Sequence, residues 1–124
     1  MTYNLSQGKA GEEYGLRYFM KRGYKVILKN YKTRFGEIDL VLKKGSKILF
    51  IEFKTTTSKN TDYIVEAWLK KQLKNMVFVI KTLICKKVIN AEMEFRIELV
   101  IIDLANWPEI NLHRKVYTLQ NNEF

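Results

Sequence analysis

One cysteine, one proline and one histidine occur in 124 residues, and these scarcities remove whole classes of chemistry. Cys85 alone can form no intrachain disulfide, so a reducing compartment suits the chain and packing is the expected role of this thiol. His113 has no cysteine or aspartate neighbour at zinc-ligand spacing, which argues against a zinc site. No apolar run is long enough to cross a bilayer; the most apolar stretch, residues 76–84, is broken by Lys81. Met1 to Leu5 lack the charged-then-apolar pattern of a secretory signal, so the cytoplasm is the expected location. Gly8 and Gly11 lack both the preceding strand and the Gly-Lys-Ser/Thr ending of a phosphate loop. With no repeat, low-complexity tract or Gly/Pro-rich linker, a single domain over residues 1–124 is expected.

Acidic residues are also few: 13 against 22 lysines and arginines, a formal charge of +9. Their placement matters more than their number. Seven basic residues and no acid lie between Arg17 and Arg34, and Lys43, Lys44 and Lys47 surround one turn. Six lysines and no acid lie between Lys70 and Lys87. Glu37, Asp39 and Glu52 thus form an acidic island in basic surroundings. Such a surface attracts a polyanion by releasing its condensed counterions, making nucleic acid the expected partner and Arg34, Lys43, Lys44 and Lys71 candidate contacts. The plainer alternative is that excess lysine only solubilises the chain. A membrane surface is not expected, because no segment has the pattern of a basic interfacial helix.

The periodicity predicts an α/β architecture of order α-β-β-β-α-β-(β), a mixed sheet flanked by helices. Asn4 or Ser6 caps a first helix running to about Arg22, with Gly23 beyond its end and Glu12 and Glu13 in its early turns. Strands are predicted over 24–30, through the segment following Gly36, and over 48–54, with Tyr31 to Phe35 as a loop. A second helix, capped by Asp62, extends to about Ile84; Glu94 to Leu104 is a strong strand and Leu112 to Leu119 an edge strand. Trp68 and Phe78 are expected in the core. Trp107, beside Pro108, is expected in an exposed loop, where it serves either base stacking or anchoring of the C-terminal tail.

The central hairpin is the most informative segment. Gly45-Ser46 suits a two-residue turn, because glycine accepts positive φ. That turn pairs Lys44 with Lys47, Val41 with Phe50, Asp39 with Glu52 and Glu37 with Lys54. Ile38, Leu40, Leu42, Leu49, Ile51 and Phe53 then share one apolar face. Carboxylates directly opposite, with Cβ atoms roughly 5 Å apart, repel each other. Such a pair shares a proton or holds a cation, and a hard divalent ion such as Mg²⁺ takes oxygen ligands of this kind. Surface pairing with strand neighbours is the alternative. Because the strands are apolar enough to be covered on both faces, the reading favoured here is a metal site.

These residues also resemble known proteins. Carboxylate-x-carboxylate in one strand followed by Glu-x-Lys in the next resembles the PD-(D/E)xK nuclease signature. More narrowly, Gly8-Lys9-Ala10-Gly11-Glu12, Gly23-Tyr24, Asn30, Gly36-Glu37-Ile38-Asp39-Leu40, Phe50-Ile51-Glu52-Phe53-Lys54 and Arg96-Ile97-Glu98-Leu99-Val100 resemble the YraN-like family of bacterial proteins. That family is similar to Holliday-junction resolvases and shares the restriction-endonuclease-like fold. The resemblance implies that Asp39 and Glu52 hold Mg²⁺ (or Mn²⁺), that Lys54 positions or activates water, and that Glu12 completes the site. It also implies that Lys71 or Gln72 reaches the same cleft, and that the working unit is a homodimer. Glu37 is expected either to hold the proton of Lys54 or to form a plain ion pair with it. Three departures stand out: Thr56 replaces a common Arg, Glu98 a common Asp and Gly15 a usual Ala. The expected function is metal-dependent cleavage of DNA, with branched DNA as a candidate substrate; the alternative is a module of the same fold that binds nucleic acid without cutting it.

Overall fold

The computed structural model describes residues 3–118. Helix α1, Leu5–Met20, begins at Asn4, whose side chain accepts from the Gln7 amide (2.9 Å) while the Gln7 side chain accepts from the Asn4 amide (3.0 Å). This capping box satisfies two orphan donors of the first turn. The helix stops earlier than predicted, at Met20, and Gly23 beyond it adopts φ +91°. Because the helix starts at Leu5, Glu12 and Glu13 lie past the first turn, beyond useful reach of the helix dipole, and Glu13 pairs instead with Arg17 at 3.3 Å.

Five strands follow: β1 Lys25–Thr33, β2 Gly36–Lys44, β3 Lys47–Thr56, β4 Glu94–Asp103 and β5 Asn111–Thr118. They form one mixed sheet in the order β1-β2-β3-β4-β5, antiparallel except for the parallel pair β3–β4. A parallel pair needs a crossover, here supplied by helices α2, Asp62–Lys71, and α3, Leu73–Cys85. The chain is therefore an α/β fold with three helices. The single predicted helix over this segment is divided at Gln72. Strand β1 also continues to Thr33, through residues expected in a loop. Leu119, the last residue of the predicted edge strand, lies outside the described residues.

The sheet is covered on both faces, which explains the nearly unbroken apolar run of β3. On one face Val41, Ile48 and Phe50 of the sheet pack with Trp68 of α2 and Met76, Val79, Ile80 and Leu83 of α3. On the other, Phe19 of α1 packs on Leu40, Leu42, Leu49, Ile51 and Val100. Helix α1 approaches closely because Gly11 and Gly15 face the sheet. A Cβ at Gly11 would lie 2.6 Å from Ile102 Cγ2, and one at Gly15 2.7 Å from the Phe53 ring. Two expected packing residues are in solvent instead: Phe78 is 47 % exposed and Cys85 lies exposed at the end of α3. Both fall on the side of α3 opposite Met76, Val79, Ile80 and Leu83, which takes the burial. Trp107 is exposed, as expected.

Candidate functional site

The turn at Gly45, with φ +60°, sets the predicted register: Lys44 opposite Lys47, Val41 opposite Phe50 and Leu40 opposite Ile51. There the β2–β3 ladder ends, so the expected pairs Asp39–Glu52 and Glu37–Lys54 do not form. The reason is a change of phase in β2. Ile38 packs into the core beneath α2 and α3, whereas Leu40, two residues on, packs beneath α1. Residues two apart in a regular strand share a face; Asp39 stands at the break. Its Oδ2 accepts the Phe53 amide at 2.7 Å, a side-chain substitute for a ladder bond.

Asp39 lines a cleft of about 360 Å³ on the α1 side, with Glu12, Lys9, Lys29 and Phe53. Burial raises its carboxyl to about 6. The Phe53 amide works against that rise, while the charges of Glu52, Glu37 and Glu12 add to it. Asp39 therefore feels all three neighbouring acids that the sequence singled out, although it is not paired with any of them.

Glu52 lines a second cleft, beneath α2 and α3, with Glu37, Lys71, Gln72 and Asn75. Trp68 Nε1–H donates to its Oε2. The Gln72 amide, with its nitrogen turned toward Glu52, donates to Oε1 at 2.6 Å and Oε2 at 3.1 Å. Lys54 Nζ lies 3.7 Å from Oε1. Burial raises the Glu52 carboxyl above its ordinary value; Lys54 and the Trp68 donor pull it down, and Glu37 pushes it up.

The structure thus brings Lys54, Glu37, Lys71 and Gln72 to Glu52, and Glu12 to Asp39. Other candidates sit elsewhere. Lys43 lines a separate cavity with Ile84 and Val88, and Lys44 lies over the Tyr24 ring at the hairpin end of β2. Four or five residues of strand, roughly 13–16 Å, separate these lysines from Asp39. Arg34 lies over the Phe35 ring in the β1–β2 turn. Thr56, one of the three departures from the family resemblance, is buried, and its Oγ1 accepts the Ser58 amide. His113 has a partner that its sequence neighbourhood does not reveal, Asp103 Oδ2 at 3.2 Å.

Sequence reasoning assigned Trp68 only to the core and missed it as a donor to Glu52. The spacing shows only that Trp68 and Gln72, four residues or one helical turn apart, share a face; nothing in the sequence marks the indole nitrogen as a donor. Among the described residues, no three His, Cys, Asp or Glu side chains gather closely enough to form a metal cage. Asp39 and Glu52 are nevertheless hard oxygen donors. One or two such carboxylates, with waters and a phosphate, are what Mg²⁺ ordinarily takes from a protein.

Comparison with known proteins agrees with the motifs. The profile of uncharacterised protein family UPF0102 matches residues 11–102, spanning α1 to β4. A UPF0102 protein of Alkaliphilus metalliredigens is 37 % identical over 99 residues, 78 % of this chain and 86 % of that protein. One from Syntrophus aciditrophicus is 43 % identical over 58 residues, covering 47 % of this chain and 46 % of its own length. Another, from Syntrophomonas wolfei, is 38 % identical over 73 residues, 59 % of this chain and 64 % of that protein. The matched region is thus about half to two thirds of these last two relatives. On the extent of the profile match and the Alkaliphilus alignment, the chain belongs to the uncharacterised, YraN-like protein family UPF0102.

Proposed function

We propose that this protein binds nucleic acid and hydrolyses phosphodiester bonds in DNA, with Mg²⁺ or Mn²⁺ held by Asp39 and Glu52. One observation carries the reading: two part-buried carboxylates flank the point where β2 and β3 part. Asp39 is on the α1 side within reach of the charge of Glu52, and Glu52 is beneath α2 and α3, where Trp68 and Gln72 donate to it and Lys54 stands 3.7 Å away. A surface ion pair needs no such support. A bound divalent ion would supply charge neutralisation at the phosphate and a more acidic water.

The remaining work falls to the chain's own residues. Trp68 and Gln72 fix the direction of the Glu52 carboxylate, and Lys54 donates to a phosphate oxygen or orients the attacking water. Glu12 adds negative charge on the α1 side, and Lys71 offers a cation to the backbone of the polyanion. The arrangement resembles PD-(D/E)xK nucleases and Holliday-junction resolvases, so branched DNA, a two-fold homodimer and a cytoplasmic setting belong to the same proposal.

A second reading, a binding module that cuts nothing, draws support from the lack of a three-carboxylate cage among the described residues and from the burial of Thr56. Titration calorimetry with Mn²⁺ on wild type and on Asp39→Asn/Glu52→Gln addresses the site. Heat in the wild type alone supports a metal centre, and equal isotherms end it. Linear, flapped and four-way DNA incubated with metal then divides the readings. Cleavage abolished by the double variant supports the nuclease, and salt-sensitive binding without cleavage supports the module.

A further inference from the structure

Two aromatic rings stand in solvent beside the Glu52 cleft. Phe35, in the β1–β2 turn, is 44 % exposed and Phe78, on α3, is 47 % exposed. Their centroids are 5.9 Å apart with planes at 19°, a stacked pair. Cations flank both: the Arg34 guanidinium is 4.9 Å from the Phe35 centroid and Lys81 Nζ is 5.9 Å from that of Phe78. Lys74, Phe78 and Lys81 recur at i, i+4 and i+7 on α3, which places them along one exposed stripe.

The pair abuts the cleft. Gly36 and Asn75 line it; Phe35 directly precedes Gly36, and Phe78 lies less than one helical turn, about 5 Å of rise, beyond Asn75. Turn and helix touch here, since a Cβ at Gly36 would lie 3.5 Å from Asn75 Cβ.

We propose that Phe35 and Phe78 form a stacking platform for an unpaired base of a nucleic acid whose backbone enters the Glu52 cleft, with Arg34 and Lys81 meeting the adjoining phosphates. This rests on the nucleic-acid reading above and deepens it by naming the substrate class: strands with unpaired nucleotides. Inside a duplex both faces of a base are already covered. Only an unpaired base offers a free π-face to an exposed ring. Charge separates this occupant from a second copy of the chain, because a patch bordered by Arg34, Lys74 and Lys81 repels itself and attracts a polyanion.

The test is fluorescence anisotropy without metal, using a short labelled single strand, an abasic strand of equal length and charge, and the corresponding duplex. The wild type should bind the intact strand about tenfold more tightly than the abasic one, the worth of a stacked base. Duplex affinity should match or fall below the abasic value. The Phe35→Leu/Phe78→Leu variant keeps an apolar contact between turn and helix; it should lose the preference and retain abasic binding. Equal binding of intact and abasic strands by the wild type overturns the platform and needs no variant. So does an unchanged preference in the double leucine variant. Sedimentation in which wild type is dimeric and the leucine variant monomeric would reassign the rings to self-association. Failure to bind all three probes would sink the nucleic-acid reading together with the platform. Absence of cleavage, by contrast, leaves the platform standing.

Discussion

Trp68 and Glu52, sixteen residues apart, are joined by a hydrogen bond from the indole Nε1–H to a carboxylate lining the cleft beneath α2 and α3. A buried indole needs an acceptor, and a part-buried carboxylate needs donors, so the contact answers both demands. Trp68→Phe keeps most of the packing and removes the donor. Stability should drop by about 2 kcal/mol in urea titrations, and the Glu52 carboxyl should titrate at higher pH in NMR, because this bond lowers it. An unchanged Glu52 titration would show that the donor plays no part.

The Asp39 carboxyl titrates at about 6 in the fold against 3.8 ordinarily. Between those values the folded chain holds a proton that the unfolded chain has released. Its contribution to stability is therefore complete below about pH 4 and is lost as pH rises through 6. The loss is about 2 kcal/mol once partial exposure is allowed for. Asp39→Asn, which can still accept the Phe53 amide, should lack this component. Unfolding midpoints of the two proteins should diverge between pH 4 and 7, and parallel curves would contradict the shift. Mg²⁺ should recover stability in the wild type chiefly above pH 6, where the carboxyl is ionised.

Glu98 is fully buried on β4 and is held by Arg114 of β5 through two contacts, Nη2 to Oε1 at 2.5 Å and Nε to Oε2 at 2.9 Å. The guanidinium also lies over the Phe19 ring at 5.0 Å. Arg114→Ala leaves a buried carboxylate without its partner and should cost about 3 kcal/mol in chemical denaturation. Replacing both, as Glu98→Leu/Arg114→Met, should recover most of that loss. A double variant as weak as the single one would show that packing rather than charge dominates here.

Gly15 packs against the Phe53 ring, the residue whose amide holds Asp39. Gly15→Ala should lower stability by about 1–3 kcal/mol, because a Cβ at 2.7 Å forces the ring aside. Combined with Phe53→Leu it should regain part of that loss. Thermal melts of the four proteins check the coupling.

Much of this fold was legible because the hydrophobic periods are clean. The strands of the central hairpin, their register from Lys44–Lys47 to Leu40–Ile51 and the capped first helix follow from local patterns that the tertiary structure reinforces. What was not legible depends on competition between two faces. A strand covered on both sides offers apolar residues at every position, so the phase change that sends Ile38 one way and Leu40 the other leaves no mark in the pattern. The nearness of Lys54 to Glu52 was readable from Glu-x-Lys, yet the donor Trp68 was not, since a tryptophan on an apolar face reads as core whether or not its nitrogen is in use. Phe78 misled for a related reason: within Val77-Phe78-Val79-Ile80 nothing distinguishes the one ring that points outward.

The bond between Asp39 Oδ2 and the Phe53 amide bears on ion size. If Asp39 holds the proposed ion, Oδ1 would be its freer ligand, because Oδ2 already accepts the Phe53 amide. A large ion that favours chelation by both oxygens of a carboxylate, as Ca²⁺ commonly does, would find that grip weakened here. A small octahedral ion that keeps most of its hydration shell has no use for it. On the proposed metal reading, the parting of two strands would then act as a filter on ionic radius, built from a backbone amide rather than from any additional ligand.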